Sequence, residues 1–274
     1  MLTVTQAAIL GVIQGLTEFL PVSSSAHLVV FPWVFRWQLP QNMMAFDVAL
    51  HIGTLLAVVL FFFFDWLMII ASYVGDLRQK LWLGGTTGSL LPKIVLATIP
   101  GAILGKLFEH KLEAFFYDDP SHIWMIAVTM AVFGIALAAV EWFGVHKRDM
   151  KQITYPDAII IGCFQALAIV PGTSRSGVTI FAALLLGLNR PTAARFSFLI
   201  ATPIILGACV LKVRDLQTAD SYTPILVGIL VSALVGIVAI KGLLHYVQNR
   251  SYLVFAWYRL AFAAGLVTLF FVRK

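Results

Sequence analysis

The twenty residues Ser121–Val140 contain no Asp, Glu, Lys or Arg, and neither does Tyr222–Ile240. A helix needs about 20 residues to cross roughly 30 Å of hydrocarbon. Ala45–Ala71 is nearly as apolar, with only Asp47 and Asp65 charged. Six such blocks read as spans, at about 46–70, 90–108, 121–143, 194–212, 223–244 and 252–272. A soluble helical protein can bury one helix of this kind but not half a dozen. Composition agrees: 60% of the 274 residues are hydrophobic and 12% charged, against about 25% charged in soluble domains. In lipid every backbone N–H and C=O must be satisfied within the chain, and helices do this. The expected fold class is an all-α, multi-pass integral membrane protein.

Two further apolar stretches do not read as simple spans. Ala7–Phe35 is interrupted by Pro21-Val22-Ser23-Ser24-Ser25, and Ala158–Leu188 by Pro171-Gly172-Thr173-Ser174-Arg175-Ser176. Each half is too short to cross alone and suits a re-entrant helix–loop–helix hairpin. The two stretches resemble one another. Leu10-Gly11-Val12-Ile13-Gln14-Gly15-Leu16 aligns with Ile161-Gly162-Cys163-Phe164-Gln165-Ala166-Leu167, and at the same offset Ser23 and Ser25 meet Ser174 and Ser176. The expected organisation is one membrane domain, 1–274, made of two repeats. The first covers 1–150 (hairpin about 7–35, then three spans) and the second 151–274 (hairpin about 158–188, then three spans). Three is odd, so the second repeat is inverted and the broken loops meet near the midplane, where inverted repeats place polar chemistry. Cations lean ten to seven toward the side holding the loop near 72–92, which places both termini outside the cytoplasm.

Charge excludes some function classes. The net charge of +6 comes mostly from cations at segment ends, which suits anionic lipid head groups; no basic run points to nucleic acid. No cation precedes Arg36, so a cleavable signal peptide is not expected. Cys163 and Cys209 lie within apolar blocks and read as buried residues, neither a disulfide nor a metal site.

Ionisable residues inside apolar blocks are costly and call for a reason. Glu18 and His27 flank the first break and Arg175 sits in the second. Gln14 and Glu18, four apart, share a helical face and together present oxygens suited to a divalent cation; Glu18 alone suits a general base. Ser23-Ser24-Ser25 before an apolar run is an N-cap pattern, and helix N-termini also bind anions. Thr173-Ser174-Arg175-Ser176-Gly177 has the same form and adds a guanidinium suited to phosphate. Two such helix starts form a cradle for a diphosphate, with Gly172 and Gly177 letting backbone approach the ligand closely. His27, three residues past Ser24, suits the base of a Ser–His pair or an acid for the leaving phosphate. Thr179 and Gln165 are further candidate substrate contacts. Asp47 and His51 share a face near an interface. Arg259, after Trp257-Tyr258, reads as a snorkelling interface residue, with phosphate binding as the alternative.

At these residues the sequence resembles the bacterial undecaprenyl-diphosphatase family associated with bacitracin resistance. Gln14-Gly15-Leu16-Thr17-Glu18 matches its (E/Q)-x-x-x-E motif, Pro21 through His27 its P-V-S-S-(S/T)-x-H stretch, and Pro171 through Thr179 its P-G-x-S-R-S-G-x-T motif. The resemblance implies a magnesium- or calcium-dependent phosphatase of the bacterial inner membrane. It would release phosphate and undecaprenyl phosphate from the C55 diphosphate, recycling the carrier lipid of peptidoglycan synthesis. It implies Glu18, His27 and Arg175 as essential, Ser24, Ser174, Ser176 and Thr179 as phosphate contacts, Ser24 also as candidate nucleophile, and an extracytoplasmic site. Expected partners are the lipid substrate and membrane lipids, with a homodimer allowed but not required. Gln14 departs from the glutamate of many members, which leaves Glu18 as the single carboxylate of that motif. The competing class is a transporter or flippase for a lipid phosphate or anion, because inverted repeats with broken helices also build carriers.

Overall fold

The apolar blocks fold as helices because, in lipid, only the helix closes its own hydrogen bonds. The computed structural model describes residues 2–37, 43–82, 90–117, 122–218 and 221–273. Their helices are α1 (Val4–Phe19), α2 (Ser24–Val34), α3 (Met43–Phe61), α4 (Phe63–Arg78), α5 (Leu90–Tyr117), α6 (Ile123–Phe143), α7 (Tyr155–Ala166), α8 (Arg175–Leu185), α9 (Arg190–Lys212), α10 (Tyr222–Tyr246) and α11 (Leu253–Val272). Local chemistry starts several of them. Thr3 and Gln6 form a capping box on α1, Thr154 and Asp157 another on α7. Asn189 caps α9, whose first turn carries Pro191.

Leu90–Phe108 of α5 and the whole of α6, α9, α10 and α11 are long and apolar enough to cross a membrane. The remaining expected span, about 46–70, is bent: α3 and α4 meet at 66°. No Pro or Gly lies in the run Phe61–Phe64, so tertiary contacts make the bend. Phe62 is fully buried with its ring 6.2 Å from that of Phe198. Arg195 stacks its guanidinium over Phe62 at 5.7 Å and donates to Asp65 at 2.5 Å. Beyond the anchor α4 lies on the outside of the bundle: Trp66 and Ile69 pack against the core, and none of its residues is fully buried.

The two broken stretches are hairpins, α1 with α2 and α7 with α8; a 3-10 turn, Leu167–Ile169, follows α7. Each second helix starts from a serine in the left-handed region, Ser23 at φ 73° and Ser174 at φ 70°. Their hydroxyls accept from the backbone N–H of Ala26 and Gly177 respectively. The hairpins enter from opposite ends of the bundle. At one end Arg273, just past α11, donates to the carbonyls of Trp33 and Val34 at the end of α2. At the other, Asn189 beyond α8 donates to Arg148 O beyond α6 at 2.8 Å. Glu141, near the end of α6, also accepts from Tyr252 N at the start of α11, so α6 and α11 run antiparallel between the two ends. The first helix of each hairpin packs on a span from the other half, α1 on α10 and α7 on α5.

Lipid removes the usual reason for an apolar interior, so close packing and polar contacts hold membrane helices together. Leu60 and Phe64 lie on the outside, whereas Gln14, Glu18, His27, Gln165, Ser174, Ser176 and Arg259 are buried. These polar side chains gather where the hairpin breaks meet.

Candidate active site

Reciprocal serine contacts join the breaks. Ser25, on α2, accepts from Gly172 N in the second break at 3.5 Å, and Ser176, on α8, donates to Leu20 O in the first at 3.0 Å. Ser25 shares a hydrogen bond with Ser23 at 3.2 Å, and Ser176 one with Ser174 at 3.3 Å. The N-termini of α2 and α8 are thereby held side by side, each presenting free backbone N–H groups and the positive end of its dipole.

Glu18 stands at the junction. One carboxylate oxygen, Oε1, pairs with Arg175. The other, Oε2, accepts from Ser24 Oγ at 2.6 Å and Gln14 Nε2 at 3.1 Å, with His51 Nε2 3.9 Å away. Arg175 also donates to Ala201 O on α9 at 3.1 Å. A pocket of about 360 Å³ opens from this cluster, within the ~300–1,000 Å³ range of small-molecule sites. Glu18, Ser24, Ser25, His51, Gln165, Ser174 and Arg175 line its polar side. Ala102, Ile204, Ile205, Ala208 and Leu211 of α5 and α9 form an apolar wall, with Lys106 beside it. Both helices reach that wall on their way to the end of the bundle where the first hairpin opens.

Several expected contacts face elsewhere. His27 is not paired with Ser24. Its Nδ1 must donate to the carbonyl of Ser23 (2.7 Å), so a neutral ring offers Nε2 as acceptor to Tyr258 Oη at 2.6 Å. The ring also stacks on Tyr258, with centroids 5.7 Å apart, and lies outside the pocket lining. Thr179 donates back to Arg175 O at 2.8 Å and shares a 2.6 Å hydrogen bond with Ser197 of α9, a helix-packing role. Ser23 is fully buried as the α2 cap, and Ser176 is buried between the breaks. Gln165 lines the pocket and donates to Ala97 O at 3.1 Å. The glycines serve protein contacts. Gly172, at φ 89°, has no room for a Cβ beside Thr129, and a Cβ on Gly177 would lie 2.9 Å from Arg259 Nη1.

Arg259 corrects the snorkelling expectation outright: it is 0% exposed. Its donors reach Pro21 O in the first break (3.2 Å), Gly172 O and Thr173 O in the second (2.8 and 3.0 Å), and Met130 O on α6 (3.3 Å). The adjacent aromatics Trp257 and Tyr258 suggested an interface, while the informative signal was an arginine inside an apolar span. His51 and Lys106 join the site without a sequence motif to mark them. Both are ionisable residues within apolar helices, and both line the pocket.

For a divalent cation the available oxygens are the Glu18 carboxylate and Gln14 Oε1, which is buried without a hydrogen-bond partner. Among the described residues no three His, Cys, Asp or Glu side chains cluster as a metal cage. The set fits a cation that takes its other ligands from phosphate oxygens and water, a common arrangement for magnesium.

Residues 7–265 match the family model described as bacitracin resistance protein BacA. The chain belongs to that family. It is 44% identical over 273 residues to the undecaprenyl-diphosphatase of Moorella thermoacetica, covering 100% of both chains. The undecaprenyl-diphosphatase of Pelotomaculum thermopropionicum is 44% identical over 276 residues, covering 100% of this chain and 99% of the relative. That of Geobacter metallireducens is 45% identical over 271 residues, covering 97% of each. Family membership therefore rests on the whole chain, spans and hairpins included.

Proposed function

We propose that the protein hydrolyses undecaprenyl diphosphate to undecaprenyl phosphate and inorganic phosphate in the bacterial inner membrane, recycling the carrier lipid of cell-wall synthesis. One observation carries the reading: a serine hydroxyl at a helix N-terminus lies 2.6 Å from a carboxylate that is itself paired with an arginine, at the polar end of a half-apolar pocket. The diphosphate binds across the N-termini of α2 and α8, which favour anions. It draws Arg175 from Glu18 toward phosphate oxygens, and the freed carboxylate takes the Ser24 proton. Ser24 Oγ then bonds to the terminal phosphorus as the bond from that phosphorus to the bridging oxygen breaks, and undecaprenyl phosphate leaves. Water then hydrolyses the phosphoserine: its oxygen bonds to phosphorus as the bond to Ser24 Oγ breaks, Glu18 returns its proton to Oγ, and inorganic phosphate leaves with the remaining proton passing to solvent. Arg175 and the two helix ends stabilise the charge that moves, which is the main catalytic resource in phosphoryl transfer. Magnesium or calcium, held by Glu18 and Gln14 Oε1, would supply further charge neutralisation. The first isoprenoid units lie on the wall of Ala102, Ile204, Ile205, Ala208 and Leu211, and the rest of the chain runs into lipid.

The named relatives are phosphatases, and the site offers a nucleophile with a base, so hydrolysis is favoured over the transporter alternative. Two halves related as inverted repeats account for the opposed hairpins and for the matched serines that begin α2 and α8.

Phosphate release from a C55 or C15 polyprenyl diphosphate tests the reading, with magnesium, calcium or EDTA, beside Arg175→Ala. Metal-dependent release that falls on the order of 1,000-fold in the variant is expected, the scale set by removing a charge-stabilising group. Near-normal turnover in Arg175→Ala would sink the site. A phosphoryl group on Ser24, seen by mass spectrometry after rapid quench, separates serine attack from direct attack by water.

A further inference from the structure

The helix starts at the site attract anions, and the same geometry leaves an opposite problem behind them. Each hairpin break is also the end of a helix. The α1 end at Phe19 and the turn ending at Ile169 leave carbonyls without intrahelical partners and carry the negative end of the dipole. Buried away from water, such carbonyls need donors. Arg259 reaches the loop carbonyls just beyond both ends at once. Four hydrogen bonds, from Nε, Nη1 and Nη2, go to Met130 O, Pro21 O, Gly172 O and Thr173 O. The side chain is fully buried and does not line the pocket. Gly177, in the first turn of α8, leaves the space that Nη1 fills.

We propose that Arg259 is the positioning residue of the reaction: one guanidinium clamps the carbonyl side of both hairpin breaks and so sets the distance between the N-termini of α2 and α8. Ser24 follows Pro21 by three residues, and Arg175 follows Thr173 by two. A shift of either carbonyl therefore moves the attacking hydroxyl relative to the phosphate-binding arginine. Lysine keeps the charge but offers donors from a single point, and it does not span four carbonyls in a planar fork. The consequence for turnover rests on the phosphatase reading, whereas the clamping of the breaks does not.

Arg259→Lys is the test, read in two ways on detergent-purified protein. In the phosphate-release assay kcat is expected to fall on the order of 100-fold with KM within about threefold, the cost of misplacing reacting groups by about an ångström. In hydrogen–deuterium exchange followed by mass spectrometry, protection is expected to drop in peptides over 20–25 and 170–176 and to hold in α10. Arg259→Met should behave alike or worse. Turnover near wild type with unchanged exchange at both breaks overturns the proposal. So does loss of protection throughout the chain with a collapsed melting temperature, which would make Arg259 a general stabiliser. If wild type releases no phosphate while Arg259→Lys still loosens both breaks, the phosphatase reading fails and the clamp stands.

Discussion

Glu18 and Arg175 are ion-paired with side chains 5% and 15% exposed, at a point where two separate hairpins touch. Removing one partner of such a pair leaves an unpaired charge, a loss of about 3–5 kcal/mol, whereas replacing both by apolar groups is often neutral. Glu18→Gln or Arg175→Met alone should therefore lower the unfolding midpoint in mixed micelles, and the Glu18→Gln/Arg175→Met double variant should recover most of it. Activity should be lost in all three. A double variant as unstable as the sum of the singles would mean that the pair does not act as a unit. Sequence alone marked both residues, because a charge inside an apolar block is conspicuous. It did not mark the partner of His27, because Tyr258 lies 231 positions away.

Elements are fastened to one another at the end where the second hairpin opens. Glu141 of α6 accepts three hydrogen bonds from Arg190 of α9, between 2.6 and 3.0 Å, and one from Tyr252 N before α11, and its side chain is 0% exposed. At the α3–α4 bend, by contrast, Arg195 and Asp65 have side chains 45% and 28% exposed. Glu141→Gln should cost about 3 kcal/mol of stability, and Asp65→Asn less than about 1 kcal/mol. Equal losses in an unfolding titration would contradict the burial argument. The sequence showed a span at 46–70 but not its bend. Helical apolarity is continuous through Phe61–Phe64, and the kink depends on Phe198 and Arg195 from another helix.

On the scale of the whole molecule the pocket lies toward one end of the bundle. Lys106 and Leu211, which line it, lie toward the end of the bundle where the first hairpin opens, and Lys147 lies at the other end. If the charge bias of the loops sets orientation, that end faces away from the cytoplasm. In a variant lacking Cys163 and Cys209, Leu211→Cys should react with an impermeant maleimide added to intact cells and be protected by a polyprenyl diphosphate. Lys147→Cys should react only after permeabilisation. The reverse pattern would turn the molecule over.

The sequence by itself determined that this chain is an all-helical membrane protein with two broken apolar stretches, and it singled out Glu18, His27 and Arg175 beside the serines of both breaks. These are local facts, since the cost of a charge or an open backbone in hydrocarbon is incurred residue by residue and can be read along the chain. Only the tertiary structure decided which hydroxyls face the pocket and which serve packing, as Thr179 does with Ser197. It also turned His27 toward Tyr258, bent the 46–70 span at Phe62, and sent Arg259 inward to the two breaks rather than outward to the head groups. The direction a side chain takes depends on what lies beside it, and here each neighbour comes from a distant helix.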